Sequence, residues 1–245
     1  MQKFLINGPQ KQTGTIFLEG GDVKHISKVL RMKPGDTVDL TDGRGKDFKG
    51  EILKIEKDRV RIEIQDVFNS STESFIHITV FQGMLKDRKM DTLVRRLTEL
   101  GIAEWVPLRC ERAVAVPDHK RAAKRVERWK TIAGEALKQC RRSTLPWIGS
   151  PVPIDEVIER APDFDLKIAF WENAALPAKE LDGYTEKPFH KIAVMVGPEG
   201  GFSEKEMEQL QQAGFTPYLM GPRILRAETA AIAACTLLQH IFGDL

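Results

Sequence analysis

Cysteine is scarce in this chain. Cys110, Cys140 and Cys235 are odd in number and far apart, with no CxxC pair or metal-like spacing among them. That usage fits a reducing compartment, excludes a disulfide frame and argues against zinc or another bound metal. Long apolar runs are missing too, so no stretch is expected to cross a bilayer and no membrane partner is expected. Met1-Gln2-Lys3-Phe4 lacks the apolar core of a secretory signal, which predicts a cytoplasmic protein. Internal repeats and low-complexity tracts are absent. The glycines at 197–201 follow neither the GxGxxG order of a dinucleotide fold nor a Walker lysine-serine pattern.

What is present is an ordinary globular composition, with 42% hydrophobic and 29% charged residues over 245 positions, enough for one large domain or two. The overall charge of +2 hides a polarised distribution. Residues 1–85 carry +1, residues 86–142 carry 16 Lys/Arg against 8 Asp/Glu for +8, and residues 143–245 carry −7. A basic middle of this density points to a phosphate-bearing partner, although a solvated helix face explains charge runs as well.

Residues 1–68 read as short strands, Lys3 to Ile6, Thr13 to Leu18, Asp36 to Leu40, Lys46 to Ile55 and Arg59 to Val67. One helix interrupts them, capped by Asp22, lined by Ile26, Val29 and Leu30, and ended by Pro34-Gly35. Close-set short strands favour a compact barrel. Lys24, His25, Lys28, Arg31 and Lys33 are either the wet side of that helix or a cationic rim for RNA phosphates, and the basic segment downstream favours the rim. The polar run Asn69 to Ser74 places a boundary between a domain over 1–70 and another over 74–245. Beyond it strands and helices alternate. Phe75 to Phe81, Trp105 to Leu108, Leu166 to Phe170, Ile192 to Val196 and Phe215 to Met220 read as strands. Asp91 to Leu100 reads as a helix, and so does the run capped by Asp118 to Gln139, with Val126, Trp129, Ile132, Ala133 and Leu137 inward. The expectation is an α/β fold: a mainly parallel sheet with helices on both faces. The cysteines are expected to pack, and His77 and His240 to lie in the core.

Two glycine–proline loops carry the candidate chemistry. Gly197-Pro198-Glu199-Gly200-Gly201 leaves a strand and enters a helix through the capping box Ser203-Glu204-Lys205-Glu206. Alone, it reads as a tight connection. The second loop, Gly221-Pro222-Arg223-Ile224-Leu225-Arg226, sets two arginines, Glu228 and Thr229 at the start of a helix that is apolar nearly all round. Such a helix is buried or an oligomer interface. Polar groups at its start need partners, from a ligand or from an Arg226–Glu228 ion pair. Two strand ends opening into such loops build a crevice at a sheet's carboxyl edge.

These residues resemble the RsmE-type branch of the knotted SPOUT methyltransferases, which methylate N3 of a uridine in 16S ribosomal RNA. The resemblance is carried by His25-Ile26-Ser27-Lys28-Val29-Leu30-Arg31, by Thr98-Glu99-Leu100-Gly101 with Pro107-Leu108 and Glu111-Arg112, by Glu135-Ala136 with Gln139-Cys140, Arg142 and Pro146, and by both glycine loops. It spans nearly the whole chain. It implies a PUA-like N-terminal barrel for RNA, a C-terminal domain tied in a trefoil knot, bound S-adenosylmethionine and a homodimer. The cofactor residues it implies are Gly197, Pro198, Glu199, Gly200 and Gly201, then Met220, Gly221, Ile224, Leu225, Arg226 and Thr229, with Phe170, Trp171 and Glu172 as a third wall. Arg95-Arg96 and Arg141 depart from the usual residues. Uracil N3 must lose a proton before it can attack a methyl group, so Arg226 is expected to stabilise the developing anion. Glu199 is either a base or a cap for its own turn. RNA contacts are expected at Lys28, Arg31, Arg88, Arg112 and Arg142. The alternatives are a related methyltransferase acting on another base or RNA, and a non-catalytic ribosome-assembly protein.

Overall fold

The computed structural model describes residues 3–6, 14–86, 88–114, 118–184 and 188–245. The chain divides into two compact units, Met1–Glu73 with Leu137–Leu145, and Ser74–Ala136 with Pro146–Leu245. Leu137–Leu145, which the sequence pattern assigns to the second domain, thus folds with the first.

In the first unit β1 (Lys3–Leu5), β2 (Gly14–Glu19), β3 (Thr37–Thr41), β4 (Lys46–Ile55) and β5 (Arg59–Asn69) form one sheet in the order β1-β3-β4-β5-β2. The strand start expected at Thr13 lies outside the described residues. β1 runs parallel to β3, and the other neighbours are antiparallel. Register shifts at Lys49/Gly50 and Ile52/Lys54 bend β4, as bulges do, and curl the sheet around Phe4, Leu40, Ile52 and Ile62. The expected helix is instead a single α-turn, α1 (Gly21–Lys24), followed by a π-turn over His25–Val29. There the Leu30 amide donates to the His25 carbonyl, five residues back, at 2.9 Å. The wider turn changes the angular step between residues, so Ile26 is buried while Val29 and Leu30 are 66% and 41% exposed. Asp22 does not cap; its carboxylate pairs with Lys138 at 3.0 Å.

Buried charge ties the 137–145 segment into this unit. Lys3 Nζ reaches Asp47 at 2.9 Å, the Ser143 hydroxyl at 2.7 Å and the Arg141 carbonyl at 2.8 Å. Arg142 is also buried, and its Nε and Nη2 donate to one Glu73 oxygen at 3.1 and 2.8 Å. The other oxygen accepts from the amides of Ser143 and Thr144 at 2.6 and 3.0 Å. The RNA role expected of Arg142 is therefore corrected: a buried guanidinium held by a carboxylate does not meet phosphates in solvent.

The second unit contains β6 (His77–Gly83), α2 (Lys89–Glu99), β7 (Glu104–Arg109), α3 (His119–Cys140, whose last residues belong to the first unit), β8 (Trp147–Ile148) and β9 (Val152–Pro153). It continues with α4 (Ile154–Arg160), β10 (Leu166–Phe170), β11 (Leu176–Pro177), β12 (Lys191–Val196), α5 (Glu204–Gln212), β13 (Thr216–Leu219) and α6 (Ala227–Phe242). The eight-stranded sheet has the order β11-β13-β10-β12-β6-β7-β8, with β9 also beside β7. Its pairings are all parallel. Alternation along β12 builds a core on each face. Ile192, Val194 and Val196 pack with Leu93 and Leu97 of α2 and Ala231 and Leu238 of α6. Ala193 and Met195 pack with Val157 of α4 and Met207 and Leu210 of α5. Asp118 caps α3 by accepting from the Arg121 amide at 2.8 Å, and Trp129 meets Trp105 edge-to-face at 5.0 Å. Cys110 and Cys235 are buried free thiols whose pKa burial pushes up, as packing residues require. His77 and His240, expected in the core, are exposed, because each stands where its element faces outward.

Removing Glu73 should take away the carboxylate that holds the buried Arg142 and the acceptor of two amides together. Glu73→Ala is expected to destabilise the protein by about 3 kcal/mol, and Arg142→Ala by less, since Glu73 keeps its amide donors. Urea denaturation of the two variants checks the order.

Candidate active site

Three neighbouring strands, β13, β10 and β12, end at the same edge of the sheet. Phe170 lies in register with Val196 on one side and Tyr218 on the other, so the chain leaves all three at one level. Beyond these ends lies a cavity of about 660 Å³. Its walls are Phe170–Glu172 after β10, Val196–Phe202 after β12 and Leu219–Ala227 after β13, with Ala230 and Lys89. Both glycine loops and the third wall expected from sequence therefore meet in one place. Thr229 does not join them: it is exposed on α6 and absent from the lining.

The loop after β12 is fixed from several directions. Gln82, wholly buried at the end of β6, donates to the Gly197 carbonyl at 3.2 Å. A Cβ on Gly83 would collide with Pro198, so the β6 end must be bare backbone there. Arg112 Nη1 donates to the Gly200 and Phe202 carbonyls, both at 3.3 Å. That geometry makes Arg112, itself exposed, a brace for the loop. The Gly201 amide closes the turn onto the Pro198 carbonyl at 3.0 Å, with Gly201 at φ +69°, and a Cβ there would run into the Glu172 carboxylate. At the exit the expected capping box is formed between Ser203 and Glu206, and Glu206 also accepts from the Glu111 amide at 2.7 Å.

Electrostatics separates the two candidate catalytic residues. Glu199 accepts from the Lys86 amide at 3.2 Å and from Lys89 Nζ at 3.1 Å. Burial pushes its carboxyl up, but the Lys86 amide, Lys89 and its own backbone N–H together hold it below the usual carboxylate range. A carboxylate so held anchors its loop to Lys86 and to the start of α2. Lys89 also stands 3.6 Å from Glu228, which replaces the Arg226–Glu228 pair considered from sequence. Arg226 is the N-cap residue of α6, exposed at the cavity wall, and its guanidinium has no hydrogen bond or ion pair among the described residues. Glu172 likewise has no partner there, and the buried Trp171 Nε1 has no acceptor. Sequence reasoning missed Lys89 and Gln82. Both lie more than a hundred positions from the loop they hold, and no local pattern marks them.

Of the remaining expected RNA residues, Lys28 and Arg31 are exposed in the first unit, Arg31 at φ +54°, and Arg88 is exposed at the start of α2 in the second.

Because Gly201 combines a left-handed φ with the contact on Glu172, Gly201→Ala should open the loop. The expected outcome is a loss of about 1–3 kcal/mol in stability and at least a tenfold loss of ligand affinity, read by thermal melting and calorimetry. A variant that binds as tightly as the parent would show that the loop is not pinned by this glycine.

Residues 72–239 match the family model described as RNA methyltransferase domain, and residues 18–65 match that described as RNA methyltransferase PUA domain. Ribosomal RNA small subunit methyltransferase E of Buchnera aphidicola subsp. Acyrthosiphon pisum is 32% identical over 93% of this chain and 88% of its own length. The crystal structure of that enzyme from Neisseria gonorrhoeae, bound to S-adenosyl methionine, matches at a TM-score of 0.89 and 32% identity over 100% of this chain and 99% of its own. A Legionella pneumophila methyltransferase in complex with bound cofactor SAM matches at 0.88 and 32% identity over 99% and 98%. With a parallel sheet whose strand ends enclose one cavity, and with likeness running the full length of the chain, this protein belongs to the ribosomal RNA small subunit methyltransferase E family of RNA methyltransferases.

Proposed function

We propose that this protein methylates N3 of a uridine in 16S ribosomal RNA in the cytoplasm, with S-adenosylmethionine as donor, in the cavity between its two glycine loops. The observation that carries the reading is the meeting of both loops with Arg226, unpaired among the described residues, at the ends of β10, β12 and β13. The residues present fit the cofactor. A volume of about 660 Å³ lies within the range of small-molecule sites. Phe170, Val196 and Leu225 offer apolar wall, the Trp171 indole N–H a donor and the Glu172 carboxylate an acceptor, neither of these two committed among the described residues. The backbone of Gly197–Gly201 and Met220–Arg226 would hold the rest. When bound, the cofactor supplies a methyl carbon made electrophilic by its sulfonium.

The chain's own part is alignment and charge. A displacement at carbon needs nitrogen, methyl and sulfur in line, and a loop braced by Gln82, Arg112 and Lys89 holds one end of that line still. Uracil N3 becomes nucleophilic as its proton leaves. In this reading that proton passes to solvent water and Arg226 stabilises the anion that results, while Glu199 stays ion-paired with Lys89. N3 is hidden in a base pair, so the target uridine is unpaired or turned out of its stack. Lys28, Arg31 and Arg88, all exposed, contact the RNA in this reading.

A homodimer belongs to the same proposal. One face of α6 is buried through Ala231, Ala234 and Leu238, while Ile232, Ala233 and Leu237 on another face stay half-exposed, an apolar stripe suited to a second copy.

Arg226→Ala is expected to lower kcat by about 10²–10³-fold while cofactor affinity by calorimetry is kept. In cells lacking the protein, nucleoside mass mapping of 16S ribosomal RNA should show one N3-methyluridine missing, restored by the parent and not by Arg226→Ala. A mark that persists without the protein would refute the function. Leu237→Asp should shift the sedimentation of the purified protein from dimer to monomer, and an unchanged coefficient would refute the α6 interface.

A further inference from the structure

The second unit carries another concavity, of about 210 Å³, outside the cavity described above. It is lined by Arg88, Met90, Asp91, Arg125, Arg128 and Trp129, from the start of α2 and the outer side of α3. Among the described residues its one carboxylate is already committed. Asp91 Oδ2 accepts from Arg128 Nη2 and Nε at 2.7 and 3.0 Å, and Oδ1 accepts from the Trp129 indole N–H at 3.2 Å. The guanidinium of Arg128 is thereby fixed in place. Those of Arg88 and Arg125 have no hydrogen bond or ion pair among the described residues. Two unneutralised guanidiniums facing one small concavity raise each other's energy unless an anion sits between them.

The chemistry selects the anion. A guanidinium offers a planar fork of donors that matches the oxygens of a phosphate, and Arg is favoured wherever such an oxyanion is gripped. The positive end of α2, eleven residues long, adds to the attraction at Arg88. A notch of this size takes a phosphate group, not a cofactor. Its placement then says which phosphate. Lys89, the next residue after Arg88, lines the methyl-transfer cavity, so consecutive residues at the start of α2 serve the two concavities. Along α3, Arg121, Arg125 and Arg128 follow at i, i+4 and i+7, a basic stripe on one helix side leading to the notch.

We propose that this notch is a phosphodiester-binding site that grips the RNA backbone beside the nucleotide whose base enters the cavity. Arg88 and Arg125 bind the phosphate, and Arg128, held by Asp91, is a positioning residue that shapes the notch. This rests on the reading of the protein as an RNA methyltransferase. The grip fixes the strand without reading its sequence, as phosphate contacts do.

The test is RNA binding by the full-length protein, with 16S ribosomal RNA as probe, across a salt series. Arg125→Ala should weaken binding about 3–10-fold and lower the slope of log K against log salt by about one, and adding Arg88→Ala should lower it by about one more. The loss should fall on KM for RNA more than on kcat. Arg125→Lys, which keeps the charge and loses the fork, should recover the slope but not the full affinity. S-adenosylmethionine binding and thermal melting report folding, and Arg125→Gln repeats the measurement should the alanine variant melt early. Unchanged RNA affinity and slope in the double variant would overturn the proposal. So would weakened binding of inorganic phosphate with RNA affinity untouched, which would leave a small-anion site. A parent protein that binds RNA in this salt-dependent way yet methylates nothing would refute the proposed function and not the notch.

Discussion

The register that seats Phe170 between Val196 and Tyr218 is the constraint on which the site depends. It brings β12 and β13 to either side of β10, although β10 comes first in the chain. A slip of one residue would displace a strand end by about 3.3 Å and send its core side chains to the wrong face. Helices pack against both faces, so such a slip would expose apolar surface on one side and overpack the other. The core therefore enforces the alignment, and the alignment brings the loops together.

Fixation of the loops then divides labour between charges. Glu199 is anchored by Lys86 and Lys89, and the Gly200 carbonyl by Arg112. These contacts lock the backbone that surrounds a bound ligand before it arrives, which is where preorganisation contributes most. Arg226 stands at the same cavity with its guanidinium uncommitted among the described residues. A charge fixed elsewhere stabilises the fold; a free one can follow the substrate.

The same division runs through the other arginines that sequence offered as RNA contacts. Arg142 is buried against Glu73, Arg112 braces a loop from the surface, and Arg88 faces an open notch with no hydrogen bond or ion pair among the described residues. Positive charge in a basic segment says that phosphate would be attracted. It does not say which side chains are at liberty to meet it, because that depends on carboxylates brought near by folding.

Much was legible in the chain itself. Alternation along Ile192–Val196, the Ser203–Glu206 capping box and the Asp118 cap are local patterns, set by backbone geometry over a few residues, and they fixed the parallel α/β class and the start of α5 and α3. The two glycine loops could be picked out because glycine is demanded where backbone takes a left-handed turn or meets another group closely, as at Gly201. Local pattern did not reveal the π-turn that exposes Val29 and Leu30, because a helix period is assumed in reading them. Nor did it place Leu137–Leu145 with the first unit, since that depends on Lys3 and Glu73 meeting groups far along the chain. Lys89 beside Glu199, and Gln82 beneath Gly197, were decided by tertiary structure alone. Long-range pairs carry no local pattern, whereas the caps at Asp118 and Ser203, the alternation of β12 and the turn at Gly201 do; the cap expected at Asp22 failed because its carboxylate is taken by Lys138.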